Sequence, residues 1–102
     1  MNKIHCKIYQ IRVNDNHEVS GKYLYMPYNY AKQNDLDLGD YEKVYETYVE
    51  EDYNQNILDA IFLMFNSNDR PEDFKGHSLS VSDIIELDGV MYYCDTVGWK
   101  KL

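Results

Sequence analysis

The sequence predicts an α+β fold, a small antiparallel sheet packed on one main helix and completed by a C-terminal β-hairpin. Three stretches carry this expectation. After Asn54, a suitable helix N-cap, come Ile57, Leu58, Ile61, Phe62, Leu63, Met64 and Phe65, a dense apolar run of helical length. Residues 81–87 and 90–94 flank Asp88-Gly89, the two-residue signal of a tight hairpin. Near the start, Ile4, Cys6 and Ile8 alternate with polar residues, the period of a half-buried strand.

In chain order, residues 4–13 read as that first strand. Its apolar phase switches when Tyr9, Ile11 and Val13 take over, which predicts a bulge or a strand covered on both faces. Asn14-Asp15-Asn16-His17 reads as a turn. Tyr23, Leu24, Tyr25 and Met26 form a short strand in this reading, ending before Pro27 because a residue preceding proline favours extended geometry. Residues 28–34 follow as about two helical turns, Pro27 being tolerated at a helix start. Leu36, Leu38 and Gly39 lead out through a loop. Residues 41–49 fit a helical face through Tyr41, Val44, Tyr45 and Tyr48, and a strand through Tyr45, Thr47 and Val49. Their β-branched and aromatic content decides for strand. The helix of 54–65 is apolar nearly all round, which predicts cover on more than one side. Residues 96–102 add a last short strand with Trp99 turned inward.

The length of 102 residues corresponds to one domain. Apolar residues make up 44% of it, so the composition is that of a folded chain. Eleven tyrosines suit half-exposed sheets and contact surfaces, since each ring brings area and a hydroxyl that wants a partner. The net charge of −8 opposes direct binding to nucleic acid and favours basic protein surfaces. Cys6 and Cys94 stand too far apart in sequence for a zinc pair and read as buried free thiols. A disulfide between them requires the first and last strands to be neighbours. No apolar run follows Met1-Asn2-Lys3-Ile4-His5, and no stretch has membrane-spanning length. A cytoplasmic, reduced setting with no membrane role is the resulting expectation.

Charge is uneven along the chain. Residues 35–52 hold eight acids, Asp35, Asp37, Asp40, Glu42, Glu46, Glu50, Glu51 and Asp52, against one base, Lys43. Residues 1–34 hold five bases and two acids. The acidic band is either a solvated face or a surface for a basic groove, because a line of carboxylates can imitate phosphates electrostatically. It lacks the glycine-centred pattern of a calcium loop. Tyr23, Tyr25, Tyr28 and Tyr30, read as exposed, and Tyr48 within the band are candidate anchors for a protein partner. The partner-binding set is thus the eight acids with Tyr25, Tyr28 and Tyr48. His77, Ser78, Ser80, Ser82 and Asp83 crowd together, yet on an extended run neighbours point to opposite faces, and no glycine-flanked elbow surrounds a serine. Structural roles are expected there: Gly76 for a turn, serines bonding backbone, Asp83 fixing the start of the strand. Gly39, Gly76, Gly89 and Gly98 are isolated, so no phosphate-cradling loop is present. No metal site, cofactor site or catalytic residue is expected.

The run 57–66 and the run from Arg70-Pro71-Glu72-Asp73-Phe74 through Gly76-His77-Ser78-Leu79-Ser80-Val81-Ser82-Asp83-Ile84-Ile85 resemble the YodL-like domain. So do Tyr92-Tyr93-Cys94-Asp95 and Gly98-Trp99, and, in the first half, Ile8-Tyr9-Gln10 and Asp40-Tyr41-Glu42-Lys43-Val44-Tyr45. The resemblance covers nearly the whole chain and is most specific at 74–85. It implies a small α+β module of Gram-positive bacteria, frequent on plasmids, conjugative elements and phages. It implies no reaction and no catalytic residues, which makes the His77-Ser78-Leu79-Ser80 run fold-defining.

Together these readings predict a non-enzymatic acidic protein, monomer or homodimer, that inhibits a host nucleic-acid-targeting defence enzyme such as a CRISPR effector nuclease. The alternative is an accessory module that self-assembles through an exposed apolar edge of the terminal hairpin.

Overall fold

A computed structural model of the protein describes residues 3–12, 23–51, 56–67, 70–74 and 76–102. Five strands, β1 (Lys3–Ile11), β2 (Tyr41–Glu50), β3 (Ile84–Leu87), β4 (Val90–Cys94) and β5 (Trp99–Lys101), form one sheet in the order β2-β1-β3-β4-β5. Every neighbouring pair is antiparallel. Two helices accompany it, α1 (Tyr28–Gln33) and α2 (Ile57–Phe65). The fold is therefore α+β with one main helix, as the sequence predicts.

The change of phase in β1 is that of a strand covered on both faces, since β1 keeps an unbroken register with β3 through it; a bulge does occur, but on the neighbouring β2. Ile8 faces Tyr45 but Tyr9 faces Lys43, so Val44 is the extra residue on β2. Ile4, Cys6 and Ile8 pack with Tyr45, Val49, Ile85 and Leu87 against Leu58, Ile61 and Phe65 of α2. Those three helix positions recur at helical spacing and form its buried stripe. Beyond the bulge, Tyr9, Ile11 and Tyr41 join Ile84, Tyr93 and the segment holding Tyr23 and Ala31 on the opposite face. One strand thus serves two cores through the ordinary alternation of its side chains.

Several boundaries differ from the sequence reading. The N-cap of α2 is Asn56, whose side chain accepts from the N–H groups of Leu58 at 3.0 Å and Asp59 at 3.3 Å; Asn54 lies outside the described residues. Leu63 is exposed, so α2 is covered on one side and not all round. Residues 23–26 form a turn instead of a strand. Tyr25 adopts φ 63°, and Tyr23 is fully buried with its hydroxyl on Asp40 Oδ2 at 2.9 Å. Val81 and Ser82 are also in a turn, and β3 starts only at Ile84. The hairpin turn is as expected, with φ 47° at Asp88 and 88° at Gly89, the left-handed pair that fits strand twist. Val13 and the turn expected at 14–17 fall outside the described residues.

The outer edge on the hairpin side is β5, where Lys100 and Lys101 are exposed. Lysine is a standard guard of sheet edges, although Val97 and Leu102 on either side of this strand are exposed. Trp99 is half-buried, edge-on to Phe62 at 6.2 Å, and its indole N–H donates to Asp59 at 3.1 Å.

Candidate functional site

Two polar regions compete for attention. The first surrounds Asp83, which is fully buried. Its Oδ2 accepts from Gln10 Nε2 and from the Ser80 N–H, each at 3.0 Å. Gln10, buried on β1, also donates to the His77 carbonyl at 2.8 Å and accepts from the His77 N–H at 3.2 Å. Ser82, in the left-handed region at φ 85°, uses every polar group it has. Its N–H donates to the Cys94 carbonyl at 3.0 Å, its carbonyl accepts from the Tyr41 hydroxyl at 2.6 Å, and its Oγ accepts from the Tyr25 N–H at 3.0 Å. A backbone angle unfavourable for a side chain is tolerated when neighbours over-determine it.

Burial pushes the Asp83 carboxyl up to about 6, against the lowering effects of the Ser80 N–H, the nearby His77 and Gln10. Oδ1 of Asp83 and Oγ of Ser80 have no hydrogen-bond partner among the described residues. His77 is exposed, with Nδ1 at 2.7 Å from the Ser78 carbonyl and its ring edge-on to Tyr25 at 6.2 Å. The His77–Asp83 run is irregular rather than strand-like, and its groups tie β1, β2 and β4 to the chain ahead of β3. Cys6 and Cys94 are free, buried and each pushed up to about 12 by burial, which keeps them as unreactive thiols. They lie on β1 and β4, which β3 separates.

The second region is the acidic edge. Residues 35–40 lead into β2, and β2 is the outermost strand on its side. Asp35, Asp37, Glu42, Glu46 and Glu50 are exposed, while Asp40 and Glu51 are half-buried. Asp52 lies outside the described residues. Asp37 accepts from the Gly39 N–H at 2.8 Å, so it also serves as a local cap. Glu46, Tyr48 and Glu50 face Lys7, His5 and Lys3 across the sheet. Glu46 meets His5 Nε2 and Lys43 Nζ at 2.5 Å each, and Lys7 meets Glu86 at 3.5 Å. The hydrogen bond from Lys43, then that from His5, holds the Glu46 carboxyl below its ordinary value. The band is thus outermost and acidic, with a basic row immediately inside it.

The tyrosines separate. Tyr48 is 66% exposed and stacks on His5 at 4.9 Å, within the acidic edge. Tyr25 is exposed beside His77. Tyr28 is half-buried, edge-on to Tyr93 at 5.5 Å, with its N–H on Asp95. Of the three candidate anchors, Tyr48 alone therefore shares a strand with the acids. Between β2 and α2 runs a groove of about 320 Å³, lined by Tyr48, Val49, Glu50, Ile57, Ala60, Ile61 and Met64. Sequence reasoning missed Gln10 and this groove. The signal for Gln10 was a polar residue on the inward phase of β1; the groove had no local signal, because β2 and α2 form it jointly.

Among the described residues, no three histidine, cysteine, aspartate or glutamate side chains are grouped to hold a metal ion, and no helix is long and apolar enough to cross a membrane. Fold and surface together define a small α+β module with a sealed polar knot at one end of the sheet and an acidic edge strand. Residues 5–102 match the YodL-like domain model, and the chain belongs to that family. No curated protein and no solved structure matches it.

Proposed function

We propose that this protein is a non-catalytic acidic interaction module of a mobile genetic element, which inhibits a host nucleic-acid-targeting defence enzyme, of anti-CRISPR or antirestriction type, by occupying its basic nucleic-acid site. The observation that carries this reading is the placement of Glu42, Glu46 and Glu50 on the outermost strand, exposed and continuous in chain with Asp35 and Asp37. The bulge at Val44 turns Glu42 to the face of Gln10, while Glu46 and Glu50 share the face of Lys7 and Lys3; a strand rises about 3.4 Å per residue, so these last two carboxylates, four residues apart, span a stretch comparable to two or three phosphates. The net charge of −8 supports steering towards a basic channel. The engagement of Ser82, Gln10 and Asp83 in the protein's own hydrogen bonds supports a structural role for the serine-rich run, in place of hydrolysis.

The test is target-DNA cleavage by a panel of CRISPR effector nucleases and restriction endonucleases, titrated with the native protein and with the Glu42, Glu46 and Glu50→Lys variant. At least one enzyme is expected to be inhibited, with the variant needing at least ten times more protein. Equal potency of the two, or no inhibition anywhere in the panel, overturns the reading.

A further inference from the structure

The two edges of the sheet are unlike. β5 has three residues and carries exposed Lys100 and Lys101. β2 has ten residues, and among the described residues no strand pairs with its outer side. An open edge leaves alternate N–H and C=O groups directed outward, a template for another strand. After the bulge, residues 45–50 pair with β1 in an unbroken register, so their outer side offers a regular ladder.

The side chains along this ladder specify what fits. Glu46, Tyr48 and Glu50 project to the face that carries His5 and Lys7, while Val49 projects to the face covered by α2. A sixth strand laid against β2 would alternate in the same way. On one face its side chains would meet Glu46 and Glu50. On the other they would enter the groove over Ile57, Ala60, Ile61 and Met64. A second copy of this edge is disfavoured, because pairing β2 with β2 brings together strands that each carry Glu42, Glu46 and Glu50 against a single cation, Lys43, already engaged by Glu46.

We propose that β2 is a β-augmentation site for an extended segment of a partner protein in which basic and apolar residues alternate, the basic ones over Glu46 and Glu50 and one apolar anchor in the groove beside α2. Backbone pairing supplies affinity, and the alternation supplies selectivity. This deepens the preceding reading and rests on it in one respect, that the partner is basic.

The probe is a capped peptide, Lys-Val-Lys-Leu-Lys-Val-Lys, titrated into isotopically labelled protein and followed by NMR. The expected result is shifts in the amides of residues 45–50 and in the methyl groups of Ile57, Ile61 and Met64. Two further peptides carry N-methyl groups on alternate residues, one in each phase. Methylation in one phase removes the donors facing β2 and lowers affinity at least tenfold; in the other phase it leaves binding intact. Equal binding of both methylated peptides overturns strand pairing and leaves the charge-based reading standing. Shifts in β2 that depend on protein concentration without peptide assign the edge to a second copy and overturn the proposal, as does absence of peptide binding. Ala60→Phe, which fills the groove, is expected to weaken the native peptide at least tenfold, and unchanged affinity removes the anchor. Peptide binding without nuclease inhibition retains this site and overturns only the nuclease reading.

Discussion

Carboxylates occupy two opposite settings in this molecule. Asp83 is sealed from water, beside Gln10 and Ser80, with no cation among the described residues in hydrogen-bond contact. Glu46 is exposed on the edge strand and held by Lys43 and His5. The buried group is pushed up and the exposed one is pulled down. Burial penalises the charged form and a nearby cation favours it, so the two shifts reveal which influence dominates at each place. The buried acid organises the fold, whereas the exposed acids remain accessible to something outside it.

The sharpest way to break this contrast is Asp83→Ala. It leaves Gln10 Nε2 and the Ser80 N–H without their shared acceptor in a dry site. An unsatisfied buried donor costs about 1–3 kcal/mol, so the loss is expected at about 3 kcal/mol in urea unfolding. Asp83→Asn sharpens the electrostatic half of the comparison. The folded value of about 6 lies above the ordinary 3.8, so the folded state binds the proton more tightly than the unfolded chain. That contribution is complete below 3.8 and is lost as pH rises through about 6. Stability of the native protein therefore falls over this window, and Asp83→Asn, which cannot ionise, is expected to flatten the fall. Glu46 contributes with the opposite sign, but its exposure lets solvent screen it. An Asn variant that keeps the native slope would assign the window to another group.

A smaller effect is expected at Gly76. A methyl group there would overlap Gln10 Oε1 and approach the Phe74 ring to 2.9 Å. Gln10 is clamped by Asp83 and the His77 backbone, so it cannot give way without losing hydrogen bonds. Gly76→Ala is expected to cost about 2 kcal/mol in the same unfolding assay. A neutral result would show that the knot is looser than its geometry.

Elements with a repeating local pattern were legible before the structure. The double cover of β1 showed as the switch from Cys6 and Ile8 to Tyr9 and Ile11, and the Asp88-Gly89 turn showed as its dipeptide. Tyr23 and Tyr25 were misread because alternation with apolar neighbours imitates a strand. Their conformation is set by distant partners, Asp40 and Ser82, which no local period encodes. Asp83 had a visible place in the chain but no visible burial, since that burial depends on its long-range partner Gln10 as well as on the local Ser80 N–H. The acidic band was plain as composition. That it lies on an edge strand, with Lys3, His5 and Lys7 behind it, depends on pairing across about forty residues of chain.

The weakest expected effect on stability is the most informative about the edge. In the Glu42, Glu46 and Glu50→Lys variant, position 46 gives up its ion pairs with His5 and Lys43, both at the surface. Exposed ion pairs contribute little because water and salt screen them. The new lysines at 46 and 50 would face Lys7 and Lys3 across the β1–β2 pair, while that at 42 would face Gln10; like charges directly opposite are unfavourable, which sets the sign as destabilising. The expected fall in Tm is no more than about 5 °C, and it should shrink as salt is raised. A larger, salt-insensitive fall would mean that the acids hold β2 in the sheet, and loss of inhibition in that variant would then report unfolding. A small fall with lost inhibition separates the two regions cleanly, because a sealed knot that keeps the fold leaves the edge free to change its charge.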